Sequence, residues 1–349
     1  MKVQAERLKE ITVHILKGLN ATNEEATLVA DCLVRAEMRG INTHGVNFLK
    51  LLADRVKARM VYLPTDLKVI ENDGSTALID GGNGLGQVAA HRGMQICIQK
   101  AREFGVGCAL IRNTNHIGIL AFYTLMAVEE KMIGVAMCNG APSVSPWGGA
   151  EAFFGTNPMS IAIPGGIELP AITLDMSSSV VARGKIRRAR RMKESIPLGW
   201  ALDETGTPTT DPEAALKGTL LPIGGPKGYG LALMIDVLAG LLSGSQWGPN
   251  VKSFHELAGP TGIGVFLMAL NIERFMSLPQ FKERMESYVA SIQGTRKAGG
   301  VSRIYLPGEI EFEKDKKSMA EGIELSDSVV GSLTQLLKEM KSPLKLTEE

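Results

Sequence analysis

Two histidines, an aspartate and a lysine stand in settings that suit chemistry. His44 lies in Arg39-Gly40-Ile41-Asn42-Thr43-His44-Gly45, and the spacing predicts a helix beginning near Thr43. Free N–H groups at a helix start favour an anion such as a carboxylate. An imidazole titrating near neutrality can exchange a proton with an alkoxide. The same residues also suit a capping turn with a bystander histidine. His116 lies in Asn113-Thr114-Asn115-His116-Ile117-Gly118, after a predicted strand Val106 to Ile111. Layered α/β folds place ligands at such strand ends, although a loop satisfying its own backbone is the plainer reading. Asp175 ends the predicted strand Ala171 to Leu174 and precedes Met176 and the serines Ser177, Ser178 and Ser179. It reads as a helix cap, an orienter of a catalytic histidine, or a cofactor contact.

Lys227 is flanked by glycines in Gly224-Gly225-Pro226-Lys227-Gly228-Tyr229-Gly230, ahead of a long apolar helix. A lysine beside a helix N-terminus suits a phosphate or a polarised carbonyl; a helix start packed tightly on a neighbour is the alternative. Gly82-Asn83-Gly84-Leu85-Gly86 follows a strand and opens a helix. Its spacing is not G-x-G-x-x-G, and no acidic residue ends a second strand about 20 positions on. A tight turn needing positive φ is therefore preferred. Pro307-Gly308-Glu309 either presents a carboxylate to a ribose or is a plain turn. Arg187, Arg188, Arg190 and Arg191 read as a solvated helix face rather than a 2′-phosphate site. His14, His91 and His255 are isolated, and no spacing suggests a metal site. Neither a Walker loop nor a G-x-S-x-G elbow is present.

These residues must be positioned by a chain of 349 residues, long enough for roughly two domains. Lys+Arg number 38 against 37 Asp+Glu, so no general charge draws the chain to nucleic acid or anionic membrane. Residues 1–20 alternate charged and apolar positions, unlike a signal peptide. The longest apolar stretch, Leu231 to Leu242, is interrupted by Asp236 and too short to span a bilayer. The four cysteines, Cys32, Cys97, Cys108 and Cys138, are far apart in apolar segments. They read as free thiols in a reducing, cytoplasmic setting.

An apolar stripe predicts a helix over Val3 to Leu19. Thr22 and Glu25 form a capping box for a second helix that stops at Gly40. A third is predicted from near Thr43 toward Met60, with Val46, Leu49 and Val56 inward. Strands are predicted at Thr76 to Asp80, Val106 to Ile111, Ile133 to Cys138, Met159 to Ile163, Ala171 to Leu174 and Gly262 to Leu270. Helices are predicted at Gln87 to Phe104, Ile119 to Met132, Leu278 to Ile292 and Ser326 to Met340, with Lys314 to Leu325 charged and exposed. A helix over Lys227 to Leu242 is apolar enough to be buried on most sides. Such alternation predicts α/β layers.

Eight runs in order carry a resemblance: RAEMRGINTHGV (35–46), DGGNGLGQ (80–87), NTNHIGI (113–119), PWGGAEAFFGTNPMSIAIP (146–164), LDMSSSVVARGKI (174–186), GWALDETGTPTTDP (199–212), LPIGGPKGYGLALM (221–234) and IYLPGE (304–309). The chain resembles the type-2 malate/L-lactate dehydrogenase family, which also holds ureidoglycolate, sulfolactate and diketogulonate dehydrogenases and a cyclic-imine reductase. The resemblance implies a non-Rossmann nicotinamide-binding α/β domain with a mixed, largely antiparallel sheet, over residues 73–299. It implies a helical domain built from both chain ends, 1–72 and 300–349, and a homodimer. It further implies hydride transfer between NAD or NADP and a small 2-hydroxy or 2-keto acid. The alternatives are a reductase of cyclic imino acids and a non-catalytic NAD(P)-binding homologue.

Carried over by the resemblance, His44 is the acid/base, Asp175 its partner carboxylate, and His116 a second active-site histidine. Thr43, Phe48 and Asn115 face substrate. Gly140, Ala171, Ile172, Thr173, Leu174, Asp175, Met176, Ser177, Lys227, Gly228, Pro307, Gly308 and Glu309 contact the dinucleotide. Three departures stand out. Phe48 replaces an arginine expected to hold the substrate carboxylate, Pro226 replaces a histidine, and Gly140 stands where a hydroxyl residue is common. If Phe48 faces substrate from one turn beyond His44, Phe48→Arg should improve turnover of dicarboxylic keto acids on the order of tenfold. If Phe48 is core, the arginine should cost stability instead.

Overall fold

The computed structural model describes residues 1–167 and 169–346. Its centre is a sheet of seven strands: β1 (Lys68–Asp73), β2 (Thr76–Asp80), β3 (Val106–Thr114), β4 (Met132–Cys138), β5 (Met159–Ile163), β6 (Ile172–Met176) and β7 (Ile263–Asn271). They lie in the order β1-β2-β3-β7-β4-β5-β6. Strands β2 and β3 run parallel, joined by the helix Gly86–Phe104. The other neighbouring pairs are antiparallel. This is the mixed, largely antiparallel sheet that the family resemblance implied, and it departs from the parallel Rossmann pattern.

β7 comes late in the chain yet lies centrally between β3 and β4. Val265, Leu267 and Ala269 alternate with half-buried neighbours along it, and all three are buried. Helices Gly86–Phe104 and Ala121–Glu129 contribute Ala89, Met94, Tyr123 and Ala127 to the same core.

A second core gathers the two chain ends. Leu8, Ile11 and Ile15 of helix Ala5–Gly18 pack with Leu33, Leu49 and Leu52, and with Leu333, Leu336 and Leu337 of helix Asp327–Glu339. Lys2–Val3 pairs antiparallel with Ile323–Glu324. The capping box forms as expected: Thr22 Oγ accepts from Glu25 N and the Glu25 carboxylate accepts from Thr22 N. A third core, around Val144, Phe154, Ile186, Leu220 and Ala232, carries a three-stranded sheet of two-residue strands. Strands that short show no periodicity, and the sequence gives no sign of them.

Several elements differ from expectation. The helix expected from Thr43 is two pieces: a 3₁₀ turn at Asn42–His44, and the helix Phe48–Lys57 after an extended Gly45. Lys227 to Leu242 is an α-helix, Pro226–Ile235, that widens into a π turn at Asp236–Leu241. It is not buried on most sides: Met234 is 59% exposed and Leu242 61%. The segment expected to be merely charged and exposed, Lys314 to Leu325, belongs to helix Glu309–Glu321 and the short strand after it. β1 straddles the boundary expected after residue 72. All six of its positions are exposed, so no hydrophobic alternation marks it.

Candidate active site

Helix Asn23–Met38 ends at Arg39, and Gly40 leaves it with φ +74°. The chain then folds into the Asn42–His44 turn, which holds His44 partly exposed. Thr43 Oγ lies 2.9 Å from His44 Nδ1, leaving Nε2 as the ring nitrogen free to meet a ligand. From His44 a row of rings runs inward. The His44 and His116 rings stack at 5.1 Å, Phe48 lies 4.5 Å from His116, and Phe254 stacks on Phe48 at 4.4 Å. The Arg55 guanidinium closes the row 4.6 Å over Phe254.

Burial among these rings sets their charge. It pushes the His44 imidazole down to about 4. The His116 imidazole lies well below its usual range, through burial first and then the nearby His44 and His255. Both rings are therefore neutral at pH 7, so His44 is poised to accept a proton rather than donate one.

Phe48, at 7% exposure, belongs both to the helical core and to this row. It walls His116 rather than reaching outward from one turn beyond His44, because no continuous helix links the two. Asn115 is buried. Its Nδ2 donates to Asn83 O and Gly84 O, both at 2.9 Å, and its Oδ1 accepts from Thr261 Oγ at 3.0 Å. It ties the His116 loop to the 81–86 turn through both amide hydrogens.

That turn follows the plainer of the two readings. A Cβ at Gly86 would overlap Asn115 O, and one at Gly82 would overlap Asp66 O. These glycines allow backbones to approach closely. Asp175, on β6 opposite Ser160 of β5, accepts a hydrogen bond from Ala121 N at 2.8 Å and so caps helix Ala121–Glu129. Burial pushes its carboxyl up to about 6. Among the described residues, no hydrogen bond joins Asp175 to His44; the cation acting on it is Arg39.

β6 is an edge strand, and two segments close on it. Thr173 N donates to Pro307 O at 2.9 Å. Gly308, at φ +85°, lies so close that a Cβ would stand 2.8 Å from Thr173 O. Beyond Met176, Ser177 Oγ meets Ser179 Oγ at 3.1 Å. Ile223 N donates to Ser178 O at 2.8 Å, which brings the Gly224–Lys227 turn alongside. Gly184, at the start of helix Arg183–Met192, lies beside Thr43, within 3.2 Å of its methyl from an added Cβ. Ala171 to Ser177, Lys227 with Gly228, and Pro307 to Glu309 thus converge on one edge.

Within the glycine-lysine turn, Gly228 N and Tyr229 N donate to Ile223 O and Gly225 O, and Pro226 has no N–H. The exposed Lys227 ammonium is a group that can meet an anion here. Glu309 Oε2 accepts from Leu306 N, and its other oxygen pairs with Arg303. Gly140 lies open, with an added Cβ no nearer than 4.0 Å to its neighbours.

The malate/L-lactate dehydrogenase family matches residues 3–334. The chain belongs to that family. This dehydrogenase chain is 40% identical over 346 residues to the malate dehydrogenase of Pyrococcus horikoshii, covering 97% of this chain and 95% of that protein. It is 36% identical over 331 residues to the NAD(+) ureidoglycolate dehydrogenase of Escherichia coli K12, covering 94% of each. The solved sulfolactate dehydrogenase of Methanocaldococcus jannaschii superposes with a TM-score of 0.93 at 36% identity, covering 99% of this chain and 98% of that one.

At the β6 edge, the exposed Lys227 ammonium and the part-buried Ser177 hydroxyl are the groups that fit a dinucleotide in kind. No group of three or more His, Cys, Asp or Glu among the described residues is arranged to hold a metal ion. Three residues of this dehydrogenase escaped the sequence reading. Arg39 is buried, its Nε lacks a hydrogen-bond partner, and the charges of Asp315, Glu311 and Asp175 act on it. Arg55 is fully buried and donates to the carbonyls of Ser253, Phe254, Glu256 and Gly259. Glu37 is buried beneath the His44 turn. Each stands at a helical position where a charge ordinarily signals solvent.

Proposed function

We propose that the chain transfers hydride between NAD or NADP and a small 2-hydroxy or 2-keto acid, with His44 exchanging the hydroxyl proton. The observation that carries this reading is the stacked His44–His116 pair at the head of the ring row, in a member of this family. The dinucleotide, when bound, supplies or accepts the hydride. Ala171, Ile172, Thr173, Leu174, Met176 and Ser177 would flank it, with Lys227 meeting its phosphates and Gly140, Gly228, Pro307, Gly308 and Glu309 shaping its surroundings.

His44 Nε2 takes the hydroxyl proton in the oxidative direction and returns it to the carbonyl oxygen in the reductive one. The Thr43 hydroxyl holds Nδ1. His116, backed by Phe48, keeps water from one side of the imidazole. Asp175 acts on the site through helix Ala121–Glu129, whose start it holds. Initial rates with oxaloacetate, pyruvate, sulfopyruvate and a cyclic imino acid, each with NADH and NADPH, test the reading. Turnover of a keto acid supports it. Turnover of the cyclic imine alone makes the chain an imine reductase, and no turnover with any pair makes it a binding homologue.

The exposed Leu231, Met234, Val237, Leu241 and Leu242 support a homodimer in which a second copy covers the helix Pro226–Ile235 and the π turn after it. No helix among the described residues is long and apolar enough to cross a membrane. The four free cysteines, of which Cys32, Cys97 and Cys138 are buried, support a cytoplasmic location.

A further inference from the structure

We propose that Glu37 is the positioning residue for His44: its carboxylate clamps the 42–46 turn from beneath and fixes where the imidazole stands. The proposal rests on His44 being the proton-exchanging group. Glu37 occupies the last turn of helix Asn23–Met38 and is 3% exposed. Oε2 accepts from Asn42 Nδ2 at 2.6 Å, and Oε1 accepts from Val46 N at 3.0 Å. One contact falls two residues before His44 and the other two residues after it. One rigid side chain therefore holds both ends of the turn whose middle carries Thr43 and His44.

Gly45 points to the same clamp independently. Its φ is −93°, so it does not serve a left-handed backbone. A Cβ there would overlap Glu37 Oε1, so glycine is what lets the carboxylate reach Val46 N. The position is otherwise unfavourable to an acid. A carboxylate near a helix C-terminus meets the negative end of the dipole, and burial disfavours its charge; indeed burial pushes this carboxyl up to about 7. The two hydrogen bonds offset part of those costs. A proton-exchanging group misplaced by about 1 Å loses rate on the order of 10²-fold, which is what the clamp prevents.

The test uses the full-length protein from pH 7 to pH 10, with the 2-keto acid from the panel above that turns over fastest, the upper end removing the proton that two adjacent carboxylates share. Asn42 is exposed, so Asn42→Asp threatens the turn without threatening the core: two carboxylates would then face each other and push it off Glu37. We expect kcat to fall on the order of 10- to 100-fold, while NADH affinity by fluorescence titration and the melting temperature stay close to wild type. Adding Glu37→Gln to Asn42→Asp restores a donor against an acceptor and should recover most of kcat. Glu37→Met, which removes both acceptors, should reproduce the loss. In a His44→Ala background, Asn42→Asp should cost nothing further, because nothing remains to be positioned. Wild-type kcat in Asn42→Asp, or no recovery in the pair, overturns the clamp while leaving His44 in place if His44→Ala is inactive. Near-wild-type turnover in His44→Ala removes the reading of His44, and the clamp's role falls with it.

Discussion

Phe48 shows how one side chain decides between two readings of a site. It packs against His116 and Phe254 at 7% exposure, with the Arg55 cation behind Phe254. A guanidinium at position 48 would be buried near another guanidinium, with two neutral imidazoles for company. Phe48→Arg should therefore destabilise the fold by on the order of 3 kcal/mol or more and bring no gain with oxaloacetate. A stable variant with improved oxaloacetate kinetics would show instead that the side chain reaches substrate.

Asp175 gives a pH test. Its folded carboxyl is pushed up to about 6, from the usual 3.8, chiefly by burial. The sign follows from linkage. A raised folded pKa favours the fold when the group is protonated, and that contribution is lost as pH rises through about 6. Asp175→Asn keeps an oxygen for Ala121 N and cannot ionise. Its melting temperature relative to wild type should be higher at pH 8 than at pH 4; a pH-independent gap would contradict the shift. At this scale the sequence exposed His44, His116 and Asp175 through their motifs. It hid Glu37, Arg39 and Arg55, because a charge in a helix is ordinarily solvated and only the tertiary fold turns these three inward.

Among the elements, β2 and β5 begin and end where the alternation places them, since one face of each is buried. The 42–57 region was less legible. Apolar Val46, Leu49 and Val56 continue a helical stripe, but Gly45 is extended and Glu37 occupies the space beneath it. The loop of residues 253–259 is legible only through Arg55, whose guanidinium donates to four of its carbonyls. Lysine cannot make that fork. Arg55→Lys should lower stability by about 2 kcal/mol or more and speed amide exchange over 253–259, where Phe254 backs the ring row. Unchanged exchange there would mean the loop is held by other contacts.

For the whole molecule, helix Pro226–Ile235 and the π turn after it pose the main question. Their sequence is apolar nearly all round, which reads as burial inside one chain. The structure leaves Met234 and Leu242 more than half exposed, and a second copy would supply the missing cover. Met234→Glu with Leu242→Glu should leave the monomer's stability nearly unchanged, as surface changes do, while light scattering shows the mass of one chain in place of two. A wild-type mass of one chain, or a doubly substituted protein that stays paired, would place any interface elsewhere.

His44 is proposed to move the proton in a nicotinamide-dependent reaction. That role is tested most directly by comparing His44→Ala with wild type on the same preparation, measuring kcat for the best keto acid of the panel together with NADH affinity. The structure places His44 in a turn outside the convergence at β6, so kcat should fall by roughly 10²–10⁴ while NADH binds as before. Turnover near wild type would contradict the account and move the proton-exchanging role to another group, with His116 the first to examine.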